Sequence, residues 1–309
     1  STPIKSSAAS DVYKRQMQYS IENDILRLTV DTHGAEPVSV IHKPTGAELL
    51  WRGDPAVWGR HAPILFPYTG KLTGGKMIAK GVEYAGGQHG FARDVEHTMT
   101  HHTEALLEFE LHANAETLPK WPYAFVLRST FTLEGETVHH TLTVENPVEE
   151  ELRFGIGYHP AFAFPFDDRH VTEDYEIRFD GIESPLCVSA QPNGLLNGES
   201  YYLARNVEAI PLTDDLFDND SHAMVNLRSG HVSVIEKDTG RSVICDVSDF
   251  PYTLIWSAAK KPLHFICIEP WHSLPGEENG PLEWEQRPCA ASLKRGESWS
   301  TTLSTTFVR

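Results

Sequence analysis

From Met17 onward the chain alternates apolar and polar residues with a period of two, and turn signals interrupt the alternation at short intervals. Ile25-Leu26-Arg27-Leu28-Thr29-Val30 follows a Glu22-Asn23-Asp24 turn. Pro37 to His42 then leads through Lys43-Pro44-Thr45-Gly46 into Ala47 to Trp51, the pattern of two successive hairpins. The same alternation returns in Ala105 to Ala113, Ala124 to Leu133, Thr137 to Val144 and Leu152 to Ile156. Later runs are Tyr175 to Phe179, His231 to Glu236, Ser242 to Val247, Tyr252 to Trp256, Leu263 to Ile268 and Trp299 to Val308. Successive strand side chains point to opposite faces, so each run offers one face to a core and one to something else. No 3.6-residue apolar period is sustained and no strand alternates with a long helix, which disfavours a doubly wound α/β fold. The chain reads as all-β, an antiparallel sandwich or barrel.

At 309 residues with 40% hydrophobic side chains, such a chain buries a sizeable core. No Pro/Ser/Gly-rich linker divides it, and Pro192-Asn193-Gly194 to Gly198 reads as a long surface loop, so residues 17–309 are expected to form one domain. Ser1 to Gln16 is polar, carries Ser6-Ser7-Ala8-Ala9-Ser10 and precedes Met17; it reads as a vector-derived extension, with Met17 as the native start. No apolar run approaches the ~20 residues needed to cross a bilayer, and no signal-peptide pattern is present, so the expected location is cytoplasmic and no membrane partner is called for. Cys187, Cys245, Cys267 and Cys289 are widely spaced, and two lie inside apolar strand-like runs, as buried free thiols do. A net charge of −17 argues against nucleic acid, whose binding needs clustered Lys and Arg. A small ligand fits better.

Three strings place two histidines and a carboxylate in separate segments: His89-Gly90-Phe91-Ala92-Arg93-Asp94, Gly157-Tyr158-His159-Pro160 and Ile268-Glu269-Pro270-Trp271. His89 lies among glycines that let backbone approach a ligand, with Arg93-Asp94 near enough to act as an ion pair orienting its ring. His159 stands at the end of a strand-like run stopped by Pro160, where a side chain faces a cleft more readily than in mid-sheet. Glu269 closes the apolar run Phe265-Ile266-Cys267-Ile268; partial desolvation there raises a carboxyl pKa and makes it a proton acceptor near neutrality. The structural alternative for Glu269 is a buried salt bridge to Arg60, Arg93 or Lys71. If the three side chains meet, they form an acid–base site.

Together with Trp58-Gly59-Arg60-His61-Ala62-Pro63-Ile64-Leu65-Phe66-Pro67 and Gly70-Lys71, these strings resemble the aldose 1-epimerases, or galactose mutarotases, in particular a bacterial mutarotase-like branch with an H-G-F-A-R-D string. The resemblance runs from about Met17 to Arg309 with the motifs in order. It implies a single large β-sandwich of the galactose mutarotase type that binds a sugar, free or phosphorylated, and needs no cofactor. It also implies roles: Glu269 as general base on the anomeric hydroxyl, His159 as the acid that protonates the ring oxygen, and His89 as the group that binds and polarises the sugar. Arg60 or Lys71 would contact hydroxyls, with Arg93 and Asp94 beside them. Asp218 and Asp220, in Leu216-Phe217-Asp218-Asn219-Asp220, are the candidates for an acidic sugar contact. A non-catalytic sugar-binding protein on the same sandwich is the alternative reading.

Other motifs are bland. Phe162, Phe164 and Phe166, at period two, read as core rather than as a sugar platform. His101-His102 and His139-His140 are adjacent pairs whose rings point to opposite faces of a strand. With no H-E-x-x-H string and no Cys/His ligand spacing, no metal is predicted. Gly-x-Ser-x-Gly and phosphate-loop strings are absent. Glu277-Glu278 reads as a solvated loop, and a glycoside hydrolase would need a second carboxyl in a setting like that of Glu269.

Overall fold

The computed structural model describes residues 17–190, 193–259 and 261–309; the proposed extension and Pro192 of the proposed loop lie outside these residues. Two large antiparallel sheets dominate. One has nine strands in the order Val207–Pro211, Tyr175–Glu183, His231–Glu236, Ser242–Asp246, Ser298–Val308, Thr137–Glu145, Val126–Glu134, Leu106–His112 and Thr98–His102. The other has eight, in the order Ser200–Tyr202, Leu186–Val188, His222–Met224, Tyr252–Trp256, Phe265–Trp271, Gly157–Tyr158 and Ile64–Leu65, with Ala161–Ala163 also paired to Phe265–Trp271. Among the described residues the helical segments are single 3₁₀ turns, and no helix is long and apolar enough to cross a membrane.

The sheets are joined through their apolar faces. Thr137–Glu145 is the simplest case: Val138, His140, Leu142 and Val144 are buried while the residues between them are half-buried, as period two dictates. Phe162 of the smaller sheet meets Phe307 of the larger at 6.0 Å. The buried hydroxyl of Tyr158 reaches across to the carbonyls of His140 (2.8 Å) and Thr301 (2.9 Å). Phe162 and Phe164 belong to this core, in agreement with the reading above, and each large side chain buried this way contributes about 1.5–3 kcal/mol.

The central strand Phe265–Trp271 is buried on both faces, and its alternation determines where chemistry is located. Ile266 and Ile268 enter the sandwich core. Phe265 and Cys267 join a cluster with Ala161, Trp58 and Trp256 on the opposite face, and Trp271 joins another with Leu65, Ala223 and Leu254. Glu269 shares that outer face. It does not close the strand, as the apolar run suggested: the ladder continues through Pro270 to Trp271, which pairs with both Tyr252 and Gly157. The proline is tolerated because its other edge falls between the Gly157↔Trp271 and Ala161↔Cys267 pairs, where no strand residue is registered opposite it.

Candidate active site

His89 lies in the loop that follows the Lys76–Ala79 and Val82–Ala85 hairpin, with its backbone in the left-handed region at φ +67°. Gly90 follows at φ +71° and bridges Phe66; a Cβ there would lie 2.1 Å from the Phe66 carbonyl oxygen, so only glycine fits. The His89 N–H donates to the Gly70 carbonyl (2.8 Å), and the Gly70 N–H donates to His89 Nδ1 (3.0 Å). Because Nδ1 is an acceptor, the ring proton sits on Nε2. His89 is thus a neutral hydrogen-bond donor, and burial together with the nearby positive charge of Arg93 holds its pKa well below the usual histidine range.

His159 occupies the break between Gly157–Tyr158 and Ala161–Ala163, anchored by its N–H to the Pro63 carbonyl at 3.1 Å. Its ring stacks on Trp58 with centroids 4.9 Å apart and meets Trp256 (5.4 Å) and His89 (5.6 Å) edge-on. Nε2 lies 3.3 Å from Glu269 Oε2, and the carboxylate side chain is 2% exposed. Burial pushes Glu269 well above the usual carboxylate range, with the negative charge of Asp220 adding to the effect and Arg93 opposing it. Burial pushes His159 down to about 3, and Arg93 adds to that. Desolvation therefore disfavours charge on both partners of this contact.

These three side chains line one cavity of about 330 Å³, within the range of roughly 300–1,000 Å³ typical of small-molecule sites. Arg60, Arg93 and Asp220 line it as well. The other predicted contacts lie elsewhere. Lys71 turns away and donates from Nζ to the Asn193 carbonyl (2.7 Å), and Asp218 pairs with Lys261 (2.9 Å). Asp94 stands behind the wall, where it holds Arg60 at 2.6 Å, and lies 3.9 Å from Arg93 Nε. The Arg93–Asp94 pair does not orient the His89 ring; the Gly70 N–H does. Arg93 instead donates to the Gln88 carbonyl at 2.7 Å, and burial with Arg60 close by lowers it to about 10. Nor does Glu269 pair with Arg60, Arg93 or Lys71; its ionisable partner is His159.

Three tryptophans in the wall escaped the sequence reading: Trp58, Trp256 and Trp271. Period two contained the signal for one of them, since Trp271 is two residues beyond Glu269 and must share its face. The segment after Ala190 also contributes Gly194 and Leu196 to the cavity wall, so part of the proposed surface loop faces the site.

Residues 17–306 match the family described as aldose 1-epimerase. The chain belongs to that family. The plasmid form of protein LacX from Lactococcus lactis subsp. lactis is 32% identical over 266 residues, covering 84% of this chain and 88% of that protein. A galactose mutarotase related enzyme from Lactobacillus acidophilus is 31% identical, with a TM-score of 0.90 over 95% of this chain and 98% of its own. A galactose mutarotase-like protein from Lactobacillus casei ATCC 334 is 30% identical, with a TM-score of 0.86 over 94% of this chain and 100% of its own. The sandwich of this epimerase family member is thus of the galactose mutarotase type, as its motifs implied.

Proposed function

We propose that this member of the aldose 1-epimerase family interconverts the α and β anomers of a free or phosphorylated aldose. The observation that carries the reading is the 3.3 Å contact between two buried groups, His159 and Glu269, in a cavity into which His89 presents a fixed Nε2–H donor. A hemiacetal opens when one group removes the anomeric hydroxyl proton and another protonates the ring oxygen; each such group contributes ~10²–10⁴-fold.

The pair needs no outside proton. Its working form is the Glu269 carboxylate beside the His159 imidazolium, which differs from the neutral form by the position of one proton. Glu269 takes the proton from the anomeric hydroxyl, His159 gives its own to the ring oxygen, and the bond between the anomeric carbon and the ring oxygen breaks to leave an aldehyde. The pair is then in the neutral form that burial favours. Rotation of the carbonyl end and reversal of both transfers close the other anomer and restore the starting protonation. His89 donates to a sugar oxygen throughout, Arg60 and Asp220 contact hydroxyls, and the tryptophans supply apolar faces for the ring. The free cysteines, three of them buried, support a reducing compartment, the cytoplasm.

The test is polarimetry of a freshly dissolved single anomer, tried with hexoses, pentoses and hexose phosphates. Faster relaxation with the purified protein is the expected result. Sugar binding by calorimetry without acceleration would replace the enzyme reading with that of a sugar-binding protein.

A further inference from the structure

The face of the Phe265–Trp271 strand that carries Glu269 also carries Cys267, two residues before it. Ala161 pairs with Cys267 across the ladder, and His159 precedes Ala161 by two residues. Donor atoms of His159, Cys267 and Glu269 accordingly lie within 4.8 Å of one another, and all three side chains are buried. Two of the three face the cavity, so an ion can reach the cluster from there, while Cys267 lies beneath them, outside the cavity wall. We propose that this cluster is an inhibitory site for a thiophilic divalent cation such as Zn²⁺, which closes the reaction centre by taking His159 and Glu269 as ligands and Cys267 as its anchor.

The donor set suits the ion. Zinc takes thiolate, imidazole and carboxylate ligands in tetrahedral geometry and leaves a fourth position for water, here on the cavity side. Charge explains why a buried site accepts it. A lone thiolate or carboxylate is disfavoured in a buried setting without a compensating cation, and all three side chains here are buried. Exchange of one Zn²⁺ for the two protons of the thiol and the carboxyl, which go to solvent, leaves the net charge of the cluster unchanged. Nδ1 of His159 is buried without a hydrogen-bond partner, and metal-bound histidines ordinarily have one there. Arg60 and Arg93 also line the cavity and repel a cation, against the attraction of Asp220. Both features set the affinity below that of a structural zinc centre, so the site fills when free zinc rises and empties on chelation.

Titration with Co²⁺ tests the site without reference to activity. The expected result is a thiolate-to-cobalt charge-transfer band in the near ultraviolet with tetrahedral visible bands, all displaced by Zn²⁺. The band should persist in Cys289→Ser, which removes the half-buried thiol, and vanish in Cys267→Ala; Cys267→Ser takes its place if the alanine variant melts early. In polarimetry, Zn²⁺ should slow mutarotation and EDTA should restore it. The Cys267 variant should need at least about tenfold more zinc for the same inhibition, since loss of an outer-sphere partner alone costs roughly 10–100-fold. A missing band, a band that survives in both Cys267 variants, or equal zinc sensitivity with and without the thiol would overturn the proposal. The cobalt readout remains decisive if the protein proves not to be a mutarotase.

Discussion

Gly70 and His89 hold each other through two hydrogen bonds, one from the Gly70 N–H to Nδ1 of the ring and one from the His89 N–H back to the Gly70 carbonyl. The first of these, from a backbone N–H to the ring, selects the tautomer of a side chain that faces the cavity. Gly70 has φ +65°, and a methyl group there would lie 2.4 Å from Cγ of Pro275. We expect Gly70→Ala to destabilise the protein by more than about 1 kcal/mol, because alanine is strained at positive φ and the clash must also be relieved. Mutarotation should fall further than stability predicts, since the His89 ring loses its anchor. A urea midpoint measured beside a polarimetric rate checks both, and an unchanged rate in a folded variant would count against the fixed-donor role of His89.

Glu269→Gln should remove mutarotation by a factor of about 10²–10⁴, because the amide cannot accept the anomeric proton. The same change should raise the melting temperature at neutral pH. Glu269 has a folded pKa above its unfolded value, so its contribution to stability is fully present below the unfolded value of about 4.5 and is lost as pH rises through the folded value. Glutamine removes that loss. The gap in melting temperature should therefore widen above pH 4.5 and close below it, which differential scanning calorimetry across pH would show.

The pH–rate profile should have an unusually wide plateau. The working pair holds one proton; a second is resisted because burial lowers His159 to about 3, and loss of the first is resisted because burial raises Glu269. The limbs belong to the pair rather than to either residue. Activity should show no inflection at the ordinary histidine value of about 6.5. A limb of kcat/KM at that value would mean that an exposed histidine, not the buried pair, controls turnover.

Acid should destabilise the protein through its buried histidines, including two that lie outside the site. Burial holds His97 at about 4 and His140 at about 3, the latter bonded to Ser129 Oγ at 2.7 Å. Both folded values are depressed below the unfolded value of 6.5, so the unfolded chain binds protons first and stability falls with pH through this window. Each group contributes a slope approaching about 1.4 kcal/mol per pH unit. His140→Gln, which can still bond Ser129, should flatten the decline in urea-derived stability between about pH 6.5 and 4; an unchanged slope would assign the acid sensitivity to other groups.

How far the chain could be read follows from the range over which its signals act. Period two is a local property of the backbone, so the strands of Thr137–Glu145, Val126–Glu134 and Ser298–Val308 were legible from their alternation. Short strands such as Ile64–Leu65 and Ala161–Ala163 were not, because two or three residues carry no period and are held by their partners in the sheet. The sequence by itself determined an all-β chain and the three segments that supply His89, His159 and Glu269. Only the tertiary structure decided that Lys71 and Asp218 turn away while Arg60 and Asp220 line the cavity. It also placed Glu269 inside a strand rather than at its end, and brought Cys267 beneath the pair. Register between strands far apart in the chain sets those distances, and register is fixed by packing across the sheet, not by neighbours in sequence.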